Sequence, residues 1–304
     1  MTVTNYAQTF ESVLQEKYAV ESKSEGLSTN PAQVRFSGAQ IVQVPEIKLG
    51  GYGDHDRSTA GFNTSALSNA YVPYKLAFDR DVEFFIDPMD IDETNQALSI
   101  ANIQNAFEED VAIPERDKYR FSKLYKEAKA KGVTIDTTAL TVANVLGKFD
   151  DLMEAMDEAE VKEEGRLLYV TPKIYKLLKT AEGIQRTIEI TGRNTKEANR
   201  TIHSLDDVEI IKVPSSRMKS AYKDTGSGVD RAYTATSDAV QINMILVEPN
   251  CVLAIDKYAY IRTFSPGSDS RTADGYIYQN RKYGDLFLIE AKKAGVAIVA
   301  DAAA

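Results

Sequence analysis

The chain has one cysteine and two histidines in 304 residues. A lone thiol excludes an intramolecular disulfide and any thiolate cage for zinc. Cys251 sits in the apolar run Asn250-Cys251-Val252-Leu253-Ala254-Ile255, where nothing adjacent would lower its pKa, so it reads as a small buried hydrophobe. Two histidines leave little material for imidazole-based metal or acid–base chemistry. Long apolar runs are lacking too. No stretch is long enough to span a bilayer, and the first residues lack the basic-then-apolar order of a signal peptide, so a cytoplasmic location is the default expectation. Positive charge is in deficit as well: Lys+Arg number 36 against Asp+Glu 45, a formal net charge of −9. A protein that grips nucleic acid through its phosphates is normally basic, and here the lysines and arginines form no polybasic block. Tight, direct DNA binding is disfavoured.

Catalytic signatures are also missing. There is no Gly-x-x-x-x-Gly-Lys-Ser/Thr phosphate loop, no Gly-x-Gly-x-x-Gly opening a helix after a strand, and no Gly-x-Ser-x-Gly. Asp54-His55-Asp56 could ligate a metal, but three neighbouring glycines make a solvated loop tip the plainer reading. Glu108-Glu109-Asp110 and Asp157-Glu158-Ala159-Glu160 lie on helical stretches. Adjacent helical positions point in different directions, so these runs read as solvated faces rather than carboxylate pairs. His203 lies in the polar stretch Thr201 to Asp207 with no assignable nucleophile.

What is present is a sequence of distinct segments. Residues from Met1 to about Pro31 read as an extended arm with a possible short helix around Tyr6 to Tyr18. Val34, Phe36, Val42 and Val44 share a parity that predicts a half-buried strand interrupted at Gly38. A second alternation, Val72, Tyr74, Leu76, Phe78, Val82, Phe84 and Ile86, predicts one long strand. Glycine-rich sequence around Gly50 to Arg57 lies between them, so the pair predicts a long hairpin. A two-stranded ribbon has no core of its own and exposes edges that invite another chain.

Helix follows. Asp92 or Thr94 can cap a segment with apolar positions Ile100, Ile103, Phe107 and Val111, and Pro114 predicts a kink or break before Glu115 to Lys131, closed by Gly132. Val142, Val145, Leu146, Phe149, Leu152, Met153 and Met156 predict a further helix, with Gly165 beyond it. Arg166 to Val170 reads as a buried strand. Thr171 and Pro172 read as N-cap and first residue of a helix carrying Ile174, Leu177 and Leu178 and ending at Gly183. The pattern loosens from Ile184, with polar loops at Thr191 to Asn199 and Lys223 to Asp230. Later strands are predicted at Val208 to Val213, Ile242 to Val247, Val252 to Ile255, Tyr258 to Phe264, Tyr276 to Arg281, Leu286 to Ala291 and Val296 to Val299. Tyr258, Tyr260, Tyr276, Tyr278 and Tyr283 crowd these strands, either as interface residues or as cover for a half-exposed sheet. The class is α+β.

This order resembles the tailed-bacteriophage major capsid protein family, whose fold is named after phage Hong Kong 97. Local wording is similar: Phe107-Glu108-Glu109-Asp110-Val111-Ala112-Ile113-Pro114-Glu115-Arg116-Asp117-Lys118-Tyr119-Arg120 looks like the family's spine segment. Leu168-Tyr169-Val170-Thr171-Pro172-Lys173-Ile174-Tyr175 looks like the strand-to-helix step that follows it, and Asp274-Gly275-Tyr276 like the start of the closing segment. The resemblance implies an N-terminal arm over 1–33, an extended β-hairpin loop over 34–88 and a peripheral domain with the spine helix over 89–165. An axial domain over 166–256 and returning strands of both domains over 257–304 complete it. It further implies a non-enzymatic subunit that self-assembles into pentamers and hexamers of an icosahedral virion shell, put together in the host cytoplasm.

No catalytic, cofactor-binding or metal-binding residue is expected, and no cofactor. Portal and head-decoration or head-completion proteins are possible partners, with no membrane. An acidic shell that encloses double-stranded DNA without adhering to it is physically sensible. Because the arm begins near Met1, a separate scaffolding protein is the expectation. Relatives that weld subunits use lysine–asparagine bonds; Lys48 lies near the loop, but its partners are not legible, so no cross-link is inferred. Two alternatives remain open: an encapsulin-type nanocompartment shell, and a soluble enzyme whose site is assembled from scattered carboxylates.

Overall fold

The computed structural model describes residues 22–27, 35–37, 40–55, 62, 65–89, 100–181, 202–228, 231–268 and 274–302, the side chains of 100–102 excepted. The expectations for Tyr6 to Tyr18, Val34, Gly38, Asp56, Asp92, Thr94, Gly183 and Thr191 to Asn199 lie outside the described residues.

The spine is continuous. Helix α1 (Ile100–Phe107) passes through a π-helical segment, Glu108–Ala112, into α2 (Ile113–Ala130). Of the kink or break that Pro114 suggested in the sequence, the break does not occur, and the irregularity is a π-helical turn just before the proline. Its ring would clash with a carbonyl one α-turn back, and the wider turn, in which the Ile113 amide donates to the Glu108 carbonyl, makes room. Gly132 ends α2 as expected, at φ +74°. The Val133 amide donates to the Ala128 carbonyl (2.9 Å) and the Gly132 amide to that of Lys129 (3.2 Å), which satisfies the last carbonyls of the helix.

Behind the spine lies a six-stranded sheet. Its members are β5 (Ile135–Asp136), β6 (Leu167–Val170), β7 (Ser204–Leu205), β8 (Val208–Lys212), β11 (Ile242–Val247) and β14 (Val296–Ala300), in spatial order β5-β14-β11-β6-β8-β7. Every residue of β11 is buried, because the sheet is covered on both faces. One face packs Tyr169, Ile245 and Ile298 on Phe121 and Leu124 of α2. The other packs Leu168, Met244 and Leu246 on α3 (Val145–Glu158) and α4 (Pro172–Thr180), through Phe149, Met156, Ile174 and Leu178. Thr171 and Pro172 open α4 as predicted, with Thr171 extended at φ −73° and ψ 155°. Helix α3 starts later than its apolar spacing suggested, since Val142 is exposed and the cap is Asn144. Burial of one face across these contacts, at about 25 cal/mol per Å² of apolar surface, is the main force holding helices to sheet.

The two long alternating patterns resolve differently from the sequence expectation. The apolar stretch from Val72 to Ile86 is not one strand. It divides into β3 (Leu67–Lys75) and β4 (Phe78–Ile86), because Leu76 turns into the core and the Ala77 amide donates to Asp285 (2.8 Å). Strand β3 pairs with β2 (Ile41–Leu49), and β2 with the short β1 (Arg35–Ser37), as a three-stranded ribbon. Strand β4 joins a second three-stranded sheet, in order β12-β13-β4. Late strands expected as separate pieces are continuous there: β12 is Val252–Phe264, with a bulge between Asp256 and Tyr258, and β13 is Tyr276–Leu288. A bulge rephases the alternation, so one strand reads as two. Residues 289–291 are not strand, contrary to expectation. The hairpin β9 (Tyr222–Thr225) and β10 (Ala232–Ala235) occupies part of what read as a polar loop.

Candidate interaction surface and the spine junction

The ribbon presents two unlike faces. Val42 is fully buried and packs with Leu76, Leu253, Ile255 and Phe287, with Val44 and Tyr74 beside them. These residues anchor the base of the ribbon. In the register Ile41↔Lys75, Ile47↔Asn69, Leu49↔Leu67, the odd positions of β2 and β3 share the opposite face. That face carries Ile41, Ile47, Leu49, Leu67 and Tyr71, all exposed; Leu49 is 76% and Leu67 71% accessible. The even-numbered alternation singled out in the sequence is therefore the inward face, and the outward apolar face was missed. An isolated valine-rich alternation gives no sign of which neighbours its other face meets. Tyr52 and Phe62 add exposed aromatic area toward the tip, beside the exposed His55. Lys48, also on the ribbon, makes an exposed ion pair with Glu46 at 3.5 Å.

The spine segment singled out by its wording is a junction of buried charges. Asp117 is fully buried and accepts from Ser22 Oγ (2.9 Å), Ser24 Oγ (2.7 Å), the amides of Lys23 (3.1 Å) and Ser24 (3.2 Å), and Arg217 Nη1 (3.0 Å). Arg120 donates to the Ser24 carbonyl (3.2 Å) and pairs with Asp256 (3.1 Å). Arg116 pairs with Glu25 (3.2 Å). Burial, then the neighbouring Arg120, lowers the Arg116 pKa to about 10. Tyr119 donates to Asp285 (2.8 Å), and burial first, with that carboxylate, pushes its phenol well up.

One acidic run is corrected in part. Glu108 is not on a solvated face: it is buried and accepts from Lys282 Nζ (2.6 Å) and Asn280 Nδ2 (2.5 Å). Burial lowers the Lys282 pKa, and Glu108 works against that shift. The second run, 157–160, is exposed as expected, and Asp157 also pairs with the fully buried Arg166 at 2.7 Å. His203 is exposed, and its carbonyl accepts from the Ile210 amide. Cys251 is buried as expected, and its thiol is pushed up to about 12, by burial first and then by Glu248. The tyrosines divide between roles: Tyr278 is core, packed with Phe84 and Phe107, while Tyr258 is exposed and stacks on Tyr260.

A cleft of about 480 Å³ is lined by residues of the spine, of the sheet containing β4 and of the β9–β10 hairpin. Two of its carboxylates are engaged with cations: Glu115 and Asp224 pair with Arg80 (2.6 and 3.1 Å), and Asp224 also with Arg231 (2.8 Å). The Arg231 and Arg80 hydrogen bonds hold the Asp224 carboxyl at about 2, the reverse of a carboxylic acid kept protonated for catalysis. Among the described residues no group of three His, Cys, Asp or Glu is placed to hold a metal ion. Nor is any described helix long and apolar enough to cross a membrane.

No protein-family model and no curated protein matches the chain in sequence. The fold, however, is similar to solved capsid structures. The capsid of cyanophage P-SCSP1u matches with a TM-score of 0.59 at 14% identity, over 88% of this chain and 85% of that one. The mature capsid of bacteriophage PhiM1 matches at 0.60 and 13%, over 84% and 81%. A virus-like particle from Pyrococcus furiosus matches at 0.51 and 13%, over 97% and 100%. The α+β architecture of this chain is that of phage capsid subunits.

Proposed function

We propose that this chain is the major capsid protein of a tailed bacteriophage, a structural subunit that builds an icosahedral shell around double-stranded DNA and catalyses no reaction. The observation that carries the reading is the outward apolar face of the ribbon, on a fold shared with phage capsid subunits. Side chains such as Ile47, Leu49 and Leu67 are exposed, with no cover among the described residues. A contiguous exposed apolar surface on a projecting ribbon finds its burial against another molecule. In a shell built of copies, that molecule is a neighbouring subunit.

Assembly then follows from repetition. Weak contacts closed around symmetric rings, here pentamers and hexamers, make a lattice far stronger than any one pair. The division into arm, extended loop, peripheral domain and axial domain belongs to this proposal. So do the scaffolding, portal and decoration partners, assembly in the host cytoplasm and residence in the virion. The net charge of −9 suits a container whose wall does not hold its polyanionic contents by strong phosphate contacts.

A cargo-enclosing nanocompartment shell is the second reading, and the likeness to the Pyrococcus furiosus particle supports it. Electron microscopy of the overexpressed chain, alone and with its scaffolding protein, tests both. Closed shells are expected, and protein that stays monomeric at high concentration under both conditions would sink the shell proposal. Co-purified cargo enzyme in place of packaged phage DNA would decide for the nanocompartment.

A further inference from the structure

We propose that Asp117 is a latch that ties the 22–27 segment to the 215–217 loop, so that withdrawal of Arg217 releases the segment from the spine. This goes beyond the shell reading and concerns the subunit itself. The 22–27 segment belongs to the stretch that reads in the sequence as an extended arm. It is nonetheless seated on its own chain. Leu27 is fully buried in the core between spine and sheet. A Cβ at Gly26 would come within 2.6 Å of Leu167 and 2.9 Å of the Tyr169 hydroxyl, so the backbone lies close against β6. The polar half of the seat centres on one carboxylate, Asp117, with Arg116 and Arg120 beside it.

The division of labour at that carboxylate makes it a coupling point. Oδ1 accepts from Ser22 Oγ, Ser24 N and Ser24 Oγ, all from the segment. Oδ2 is shared between the Lys23 amide and Arg217 Nη1. Segment and loop thus meet on one buried anion and stabilise one another through it. Arg116 and Arg120 also face the segment, from α2: Arg116 reaches Glu25, and Arg120 reaches the Ser24 carbonyl and Asp256. Arg217 is the contact that comes from a different part of the chain, the short 3-10 turn Ser215–Arg217 after β8. A buried carboxylate whose guanidinium partner leaves is strongly destabilised, and hydration is its ready relief. Water reaches Asp117 when Ser22 to Ser24 move away. Motion of the 215–217 loop is in this way transmitted to the 22–27 segment through the shared carboxylate.

Hydrogen exchange on the full-length subunit reads the latch directly, since the Lys23 and Ser24 amides donate to Asp117. In Arg217→Ala, protection of those two amides is expected to fall by about tenfold or more, the scale of one lost charge-assisted hydrogen bond, while β11 and β14 stay protected. Arg217→Lys, which keeps the charge, is expected to recover part of the loss. Coupling is reciprocal. The combined Ser22→Ala and Ser24→Ala variant, altered only on the segment, should therefore lower protection at the Arg217 and Met218 amides, which donate to Pro214 and Ser215. Unchanged protection of Lys23 and Ser24 in Arg217→Ala overturns the proposal. So does an unchanged loop in the serine variant, which serves as the deciding measurement if Arg217→Ala unfolds the core.

Discussion

Glu108 shows how much one side chain can carry here. It sits at the first residue of the π-helical segment, buried, with the Lys282 ammonium at 2.6 Å and the Asn280 amide at 2.5 Å. The Lys282 side chain keeps 22% accessibility, so its desolvation is incomplete. Removing one partner of a buried pair leaves the other charge uncompensated, whereas removing both can be close to neutral. Glu108→Ala is therefore expected to cost about 3 kcal/mol of unfolding free energy. The joint replacement Glu108→Leu with Lys282→Met should cost clearly less. Urea denaturation of the three proteins checks this. A single variant within about 0.5 kcal/mol of wild type, the range of an ordinary surface substitution, would show that the pair is solvated after all.

At the scale of elements, the ribbon and the spine have opposite characters. The spine is held at many points: Glu115 to Arg80, Asp117 to the 22–27 segment, Tyr119 to Asp285 and Phe121 to Tyr169. Among the described residues the ribbon is held at its base, by Val42 and its neighbours, while its outward face is exposed. Substitutions on that face should therefore separate folding from association. Leu49→Glu or Ile47→Glu is expected to leave subunit stability within about 0.5 kcal/mol, as for exposed sites without partners. The same changes should abolish or strongly slow shell formation, because a charge would have to be buried at the contact. Thermal unfolding of the subunit and light scattering during assembly give the two readouts. Normal assembly by the glutamate variants would mean that this face stays in water in the particle. How such a ribbon reads in sequence is instructive. Alternation over 42–44 and 72–86 announced strands correctly, yet it could not say that Leu76 turns inward and sends β3 and β4 to different sheets.

For the whole molecule, like charge is the term that assembly must overcome. Each copy carries −9 and, in the proposed shell, is packed against others of the same sign. Salt screens that repulsion over a Debye length of about 8 Å at physiological ionic strength, while apolar contacts are not weakened by it. The critical concentration for assembly is therefore expected to fall as sodium chloride is raised from about 0.01 to 0.15 M. Sedimentation of assembled against free protein measures it. A critical concentration that rises with salt would instead place complementary ion pairs at the centre of the contact.

By itself the sequence determined what depends on near neighbours along the chain. The helices on either side of Pro114, the end at Gly132, the Thr171-Pro172 helix start and the strand at Ile242–Val247 all follow from periodicity, caps and φ preferences within a turn or two. The burial of Cys251 was legible for the same reason, from the apolar run around it. The tertiary structure alone decided which charged residues are buried and which apolar face is left bare. Asp117 meets Ser24 across 93 residues and Glu108 meets Lys282 across 174. A carboxylate's cost or value depends on whether a cation and donors reach it once water is gone. That is set by the packing of distant strands against the spine, and no local pattern of residues encodes it.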